Sequence, residues 1–147
     1  MATNSFVSIP EYLPGTPTVR NLRAVVVDDT PEILHLMVKL LELAGQIDVV
    51  AIARDGVEAV SAVRAYDPDL IVMDVNMPRM NGLSAALKIR ELDSPAKILI
   101  MSSDDNPETR VAALDAGADD FLPKTNMMRH CRAYLHRLFP ERYQALQ

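Results

Sequence analysis

Five polar side chains could do chemistry in this sequence, and each follows a short apolar run. Asp28 and Asp29 are adjacent carboxylates, Asp74 is a third, Ser102 offers a hydroxyl and Lys124 offers an ammonium. If these side chains meet, three carboxylates against one ammonium leave an excess of negative charge. Oxygen ligands with that charge favour a hard divalent cation, so we expect Mg²⁺, or Mn²⁺ in its place, to bind here.

The elements between these residues decide whether they can meet, and the sequence alternates strand and helix five times. Apolar runs typical of buried strands lie at 24–27, 49–53, 70–73, 98–101 and 121–122. Such alternation predicts an α/β fold, with parallel strands and helices on both faces of a doubly wound sheet. Because ligands bind beyond the carboxyl ends of such strands, the polar residues are expected to converge there.

Helix signals fill the intervals between the strands. Thr30 is a candidate cap for a helix that starts at Pro31 and ends at Gly45, and Asp55 is a candidate cap for the next helix. Two later helices are expected near 83–92 and 107–116, and an amphipathic one over 127–138 that ends at Pro140. The apolar stripe of the first helix is predicted to comprise Ile33, Leu36, Met37, Leu40, Leu41 and Ala44.

Three segments follow from this pattern. Residues 1–21, with Pro10, Pro14 and Pro17 among Ser, Thr and Gly, are expected to form an irregular N-terminal extension. Residues 22–139 form the predicted domain, and residues 140–147 a C-terminal tail. An alternative for the extension is that its apolar residues dock on the domain or on a neighbour; these are Phe6, Ile9, Tyr12 and Leu13.

Composition disfavours several classes of function. The net charge of −5 disfavours direct binding of nucleic acid or of an anionic membrane surface. No apolar run approaches the roughly 18 residues of a membrane span, and the start of the sequence does not resemble a signal peptide. The single cysteine, Cys131, fits a reducing compartment. We therefore expect a soluble cytoplasmic protein.

Each candidate residue taken singly also has a structural explanation. An aspartate after a strand commonly caps a helix, a serine there commonly forms a turn, and a lysine is commonly solvated. The coincidence of all of them at the same end of successive strands favours a site instead. His35, His130 and His136 do not cluster with Cys131, so a zinc site is not expected.

From about Asn21 to Leu138 the chain resembles the receiver domain of two-component response regulators. The resemblance is carried by residues 24–29 (AVVVDD), 70–78 (LIVMDVNMP), 81–82 (NG), 98–103 (ILIMSS) and 116–124 (AGADDFLPK). It implies a flavodoxin-like sheet of five parallel strands in the order 2-1-3-4-5. It also implies a phosphorylation switch, which is not an enzyme beyond its own phosphorylation and dephosphorylation.

The resemblance assigns roles to the acidic residues by position. Asp74 matches the aspartate that accepts a phosphoryl group from a histidine kinase or a phosphotransfer protein. Asp29 matches the direct metal ligand, and Asp28 matches an acid that acts through water. The backbone carbonyl of Asn76 matches the third protein ligand of Mg²⁺.

The remaining roles concern the switch. Ser102 matches the hydroxyl that bonds the phosphoryl oxygen, Phe121 the aromatic that changes rotamer with it, and Lys124 the lysine that pairs with the phosphate. Asn76 and Asp104 match positions that tune phosphate lifetime. A downstream protein is expected to dock on the face formed by helix 107–116, Phe121 and helix 127–138.

Two departures from the family pattern matter. Phe121 lacks the hydroxyl of the tyrosine found in many relatives. Thr125 and Asn126 follow Lys124, where relatives usually have proline and an aromatic residue, and the proline here is Pro123. A cis bond before a residue other than proline costs about 2.5–4 kcal/mol, so we predict a trans Lys124–Thr125 peptide.

Three alternatives remain open at the level of sequence. One is a metal-dependent phosphohydrolase that forms an aspartyl phosphate, although its usual Asp-x-Asp pair is replaced by the adjacent Asp28 and Asp29. Another is a receiver-like interaction module that never takes phosphate. The third is that the sequence is the N-terminal receiver fragment of a larger regulator.

Overall fold

A computed structural model describes residues 20–143, and its elements alternate as the sequence predicts. The strands are β1 (Leu22–Val27), β2 (Ile47–Ala53), β3 (Leu70–Asp74), β4 (Lys97–Ser102) and β5 (Asp120–Pro123). The helices are α1 (Pro31–Ala44), α2 (Gly56–Tyr66), α3 (Gly82–Glu91), α4 (Pro107–Asp115), α5 (Met127–Leu138) and α6 (Pro140–Tyr143). The apolar residues proposed to dock from the extension lie outside the described residues; they are Phe6, Ile9, Tyr12 and Leu13.

The five strands form one parallel sheet in the order β2-β1-β3-β4-β5, which confirms the predicted fold. Alternate residues of each strand face opposite sides, so Val25 and Val27 lie in one core and Ala24 and Val26 in the other. Buried side chains of α2, α3 and α4 line the first core, and those of α1 and α5 line the second. The sheet is therefore covered by helices on both faces.

Helix caps agree with the sequence at Asp55 and differ at Thr30. The Asp55 carboxylate accepts a hydrogen bond from the Glu58 amide at 2.8 Å, which begins α2. Thr30 occupies the cap position of α1, but its side chain makes no capping bond. Asp28 accepts from the Thr30 amide at 2.9 Å instead, so the start of α1 is tied to a site residue. Gly45 ends α1 with φ 84°, as expected.

The face that α1 buries is rotated from the predicted stripe. Leu34, Met37 and Leu41 are the buried residues of α1, and Leu34 lies outside the predicted stripe. Ile33 and Leu36 are only partly buried. The apolar positions of α1 cover more than one face, so spacing by itself does not select the one that meets β1 and α5.

The C-terminal residues depart from the predicted tail. Helix α5 ends at Leu138, and residues 140–143 form the short helix α6. The Tyr143 side chain is fully buried, and its hydroxyl donates to the Gly45 carbonyl at 3.0 Å. The tail interpretation is therefore wrong for residues 140–143, because Tyr143 packs in the core that the buried residues of α1 and α5 line.

Two further expectations can be compared with residues 20–143. All peptide bonds in that range are trans, which confirms the prediction for Lys124–Thr125. The chain turns there through a single 3₁₀ turn, Lys124–Asn126, that leads into α5. None of the helices described has the length and hydropathy that a membrane span requires.

Candidate functional site

The register of the sheet brings the predicted residues to one edge. Val27 pairs with Met73, so the next residues along β1 and β3, Asp28 and Asp74, are neighbours. In the same way Asp74 pairs with Met101, and Ser102 pairs with Pro123. The carboxyl ends of β1, β3, β4 and β5 therefore meet, and all the polar residues that follow them lie at this edge.

The three carboxylates form a compact acidic cluster. One oxygen from each of Asp28, Asp29 and Asp74 lies within 4.8 Å of the others. Asp28 is fully buried and Asp74 is 4% exposed, whereas Asp29 is exposed. Asp29 is thus the member of the cluster that solvent reaches most freely.

Lys124 lies beside two carboxylates of the cluster. Its ammonium lies 2.8 Å from Asp28 Oδ2 and 3.3 Å from Asp74 Oδ2. Burial by itself would lower the pKa of Lys124, but the two carboxylates outweigh that effect and raise it above its usual value. Lys124 is therefore positively charged in this site at neutral pH.

Asp74 lies in an environment that disfavours its charge. Burial raises the pKa of Asp74 above that of an ordinary aspartate, and the neighbouring Asp28 carboxylate raises it further. Lys124 and the backbone amide of Asn76 oppose the shift without cancelling it. Additional positive charge beside Asp74 would favour its ionised form.

The carboxylate ligands at this edge of the sheet fit a hard divalent cation. Asp28 Oδ2 is buried and, among residues 20–143, has no partner in hydrogen-bond geometry, although the Lys124 ammonium lies close to it. Three carboxylates and one ammonium leave an excess of negative charge, and the atoms available to bind a metal ion are oxygens. Mg²⁺ prefers such ligands. Asp29 and Asp74 would hold it directly, and the loop after Asp74 carries the Asn76 carbonyl predicted as a further ligand.

Ser102 is buried at the end of β4, and its hydroxyl organises the loop that follows. Ser102 Oγ accepts a hydrogen bond from the Asp104 amide at 3.0 Å. The Asp104 carboxylate accepts in turn from the Asn106 amide at 2.8 Å and from the Thr109 hydroxyl at 3.3 Å. A movement of Ser102 would therefore reach the first turn of α4 through Asp104.

Phe121 lies in the core rather than at the surface, and an arginine covers its ring. The Phe121 side chain is fully buried, and the guanidinium carbon of Arg110 lies 4.9 Å from the ring centroid. Arg110 also pairs with Asp105 at 3.4 Å. Sequence reasoning missed Arg110, because nothing in the local pattern of α4 shows which of its residues faces β5.

A parallel five-stranded sheet with an acidic cluster and a lysine at its carboxyl edge defines the receiver class of signalling domain. Residues 24–136 match the family model of the response regulator receiver domain, and the chain belongs to that family. Receiver domains of two-component systems are signalling modules rather than classical enzymes.

Named relatives agree with this assignment. The chain is 38% identical over 124 residues to the response regulator MprA of Mycobacterium avium, a match covering 82% of this chain and 54% of the relative. MprA of Mycobacterium tuberculosis H37Rv is 38% identical over 125 residues, with the same two shares covered. The chain thus spans about half the length of the curated relatives it matches.

Solved structures share the architecture. The response regulator domain of Thermotoga maritima CheB is similar with a TM-score of 0.73 and 28% identity, covering 83% of this chain and 96% of that one. A two-component response regulator of the LuxR family from Aurantimonas has a TM-score of 0.75 and 31% identity, covering 80% of this chain and 85% of that one.

Proposed function

We propose that this chain is a phosphorylation switch in which Asp74 accepts a phosphoryl group from a histidine kinase or phosphotransfer protein with the help of Mg²⁺. The observation that carries the proposal is the cluster of Asp28, Asp29 and Asp74, in which Asp28 and Asp74 both lie beside the Lys124 ammonium. A site of this kind would operate in the cytoplasm, where such a kinase presents its phosphohistidine.

The proposed transfer uses the residues as follows. An oxygen of Asp74 forms the new bond to phosphorus while the phosphorus–nitrogen bond of the donor breaks, and the donor imidazole takes up a proton. Bound Mg²⁺ would supply positive charge that offsets the repulsion between the carboxylates and the incoming phosphoryl oxygens. Lys124 contributes the remaining positive charge, since it already lies 3.3 Å from Asp74 Oδ2.

The response to phosphorylation is proposed to run through β4 and α4. The phosphoryl group adds negative charge and acceptor oxygens at Asp74, which attract the Ser102 hydroxyl away from the Asp104 amide. Phe121 changes rotamer with that movement and alters the face formed by α4, β5 and α5. A downstream protein, rather than nucleic acid or a membrane, would read that face.

Labelling by a small phosphodonor tests the proposal. The protein is incubated with acetyl phosphate and Mg²⁺, and its intact mass is measured. Wild type should gain one phosphoryl group, Asp74→Asn should gain none, and Asp48→Asn, which removes an exposed carboxylate of β2, should match wild type.

This labelling, together with a phosphatase assay, separates the alternatives. A protein that never becomes labelled would be the phosphorylation-independent interaction module. Sustained turnover of p-nitrophenyl phosphate would instead indicate a phosphohydrolase. Phosphate that persists on Asp74→Asn would overturn the assignment of the acceptor.

A further inference from the structure

We propose that an ion pair between Asp55 and Arg79 positions the loop that carries the Asn76 carbonyl for the cation. The loop comprises residues 75–81 and connects β3 to α3. The inference deepens the proposed function and rests on it, since it concerns how strongly the same site binds Mg²⁺.

The contact joins this loop to the start of α2. Arg79 Nε donates to Asp55 Oδ2 at 2.7 Å, and a second guanidinium nitrogen lies 3.9 Å from Glu58 Oε2. The Asp55 side chain is 8% exposed and that of Arg79 is 58% exposed. The Arg79 guanidinium and the Glu58 amide hold the pKa of Asp55 below its usual value, so the carboxylate remains charged.

A main-chain contact lies beside the ion pair. The Gly56 amide donates to the Met80 carbonyl at 2.8 Å. A Cβ on Gly56 would lie 2.4 Å from that carbonyl oxygen, so only glycine permits this approach. Arg79 itself has φ 64°, a left-handed backbone conformation that residues other than glycine rarely adopt and that the surrounding structure must enforce. The end of the loop is thus held against α2 at two adjacent residues.

The start of the loop is held against the sheet. The Val75 amide donates to the Met101 carbonyl at 3.0 Å, and the Gly82 amide donates to the Val75 carbonyl at 2.8 Å. Asn76 therefore lies between one anchor on β4 and another on α2. Loss of the Asp55–Arg79 contact leaves only the Gly56–Met80 hydrogen bond of these two ties to α2, so the span that carries Asn76 is held less firmly on that side.

Cation binding is sensitive to such a change, whereas folding is less so. Mg²⁺ demands near-ideal octahedral geometry, so a displaced carbonyl is a poor ligand. Partners that orient metal ligands typically change affinity by about 10–100-fold when they are removed. A half-exposed ion pair contributes little to the stability of the fold by comparison.

The test compares Mg²⁺ affinity with thermal stability in wild type, three variants of the ion pair and one control variant. Mg²⁺ is titrated into wild type, Arg79→Gln, Asp55→Asn and the double variant, with the amide resonances followed by NMR. Asparagine at 55 still offers an oxygen to the Glu58 amide and keeps the cap. Arg20→Gln is the matched control. It also removes an arginine–aspartate ion pair, the 2.8 Å pair between Arg20, which precedes β1, and Asp69, which precedes β3.

We expect each single variant to weaken Mg²⁺ roughly tenfold, and the double variant to weaken it no further, because both changes remove one interaction. Arg20→Gln should bind as wild type does. A lower melting temperature for Arg79→Gln with unchanged Mg²⁺ affinity would overturn the inference, as would additive losses in the double variant. A wild-type protein that binds no Mg²⁺ would overturn the proposed function itself and this inference with it.

Discussion

The Lys124 ammonium lies closer to Asp28 than to the proposed phosphoryl acceptor, at 2.8 Å from Asp28 Oδ2 against 3.3 Å from Asp74 Oδ2. Asp28 is therefore partly neutralised inside the protein, while Asp29 faces solvent. The two adjacent aspartates, alike in sequence, consequently differ in what they can offer to an incoming cation.

Asp29 is predicted to dominate cation binding. Asp29→Ala should weaken Mg²⁺ by at least about tenfold, or ~1.4 kcal/mol, because the charge count of a site sets its affinity. Asp28→Ala should weaken it less, since that carboxylate already shares its charge with Lys124. Titration of each variant by NMR measures the difference, and wild-type affinity in Asp29→Ala would contradict the prediction.

Replacing Asp74 by asparagine is predicted to stabilise the metal-free protein at neutral pH. The raised pKa of Asp74 means that its ionised form costs stability once the pH exceeds that pKa, and asparagine removes the charge. The gain should be complete above the raised pKa of Asp74 and fade as the pH falls through it toward about 3.9, the pKa of an ordinary aspartate. Melting temperatures in EDTA measure it, with Asp48→Asn as the exposed control; a gain that does not change with pH would contradict this origin.

Asn76 and Asp104 are predicted to tune the lifetime of the phosphorylated state. Asn76 is two residues after Asp74, and Asp104 is two residues after Ser102, so both loops border the acceptor. Substituting alanine or arginine at either position should change the dephosphorylation rate by more than about twofold, or roughly 0.5 kcal/mol of barrier. Rates of label loss after removal of the phosphodonor provide the measurement, and values within that range at both positions would refute the idea.

The surface that changes on phosphorylation is predicted to be α4, β5 and α5. Beryllofluoride, which stands in for the phosphoryl group, should shift amide resonances there, because Ser102 connects to α4 through Asp104 and Phe121 contacts Arg110. Arg110→Gln should alter the shifts of α4 and β5 while leaving beryllofluoride binding intact. Changes confined to residues 31–66 would contradict this assignment.

Tyr143 is predicted to stabilise the domain although it follows the last long helix. Its ring is fully buried and stacks on His136 with centroids 5.3 Å apart. Tyr143→Phe should cost about 1 kcal/mol through the bond to Gly45, and Tyr143→Ala about 3–5 kcal/mol. Urea unfolding measures both against Leu43→Ala, an exposed control expected within about 0.5 kcal/mol of wild type. Unchanged stability in Tyr143→Ala would contradict the packing role.

Much of the fold and of the site could be predicted because the signals are local. Apolar runs mark strands buried on both faces, and Asp55, Gly45 and Pro31 mark helix ends, since each acts on the backbone within a few residues. The aspartates and Lys124 could be placed at strand ends for the same reason. Strand order came from the family resemblance, and the sheet confirms it.

Tertiary structure decided the relationships between distant residues. It selected Leu34 for the buried face of α1, buried Tyr143 and joined Asp55 to Arg79 across 24 positions. It also set Lys124 nearer to Asp28 than to Asp74. Such contacts depend on how packed helices and loops bring side chains together. Periodicity and capping signals act within a few residues of the chain, so they do not encode contacts between residues far apart in sequence.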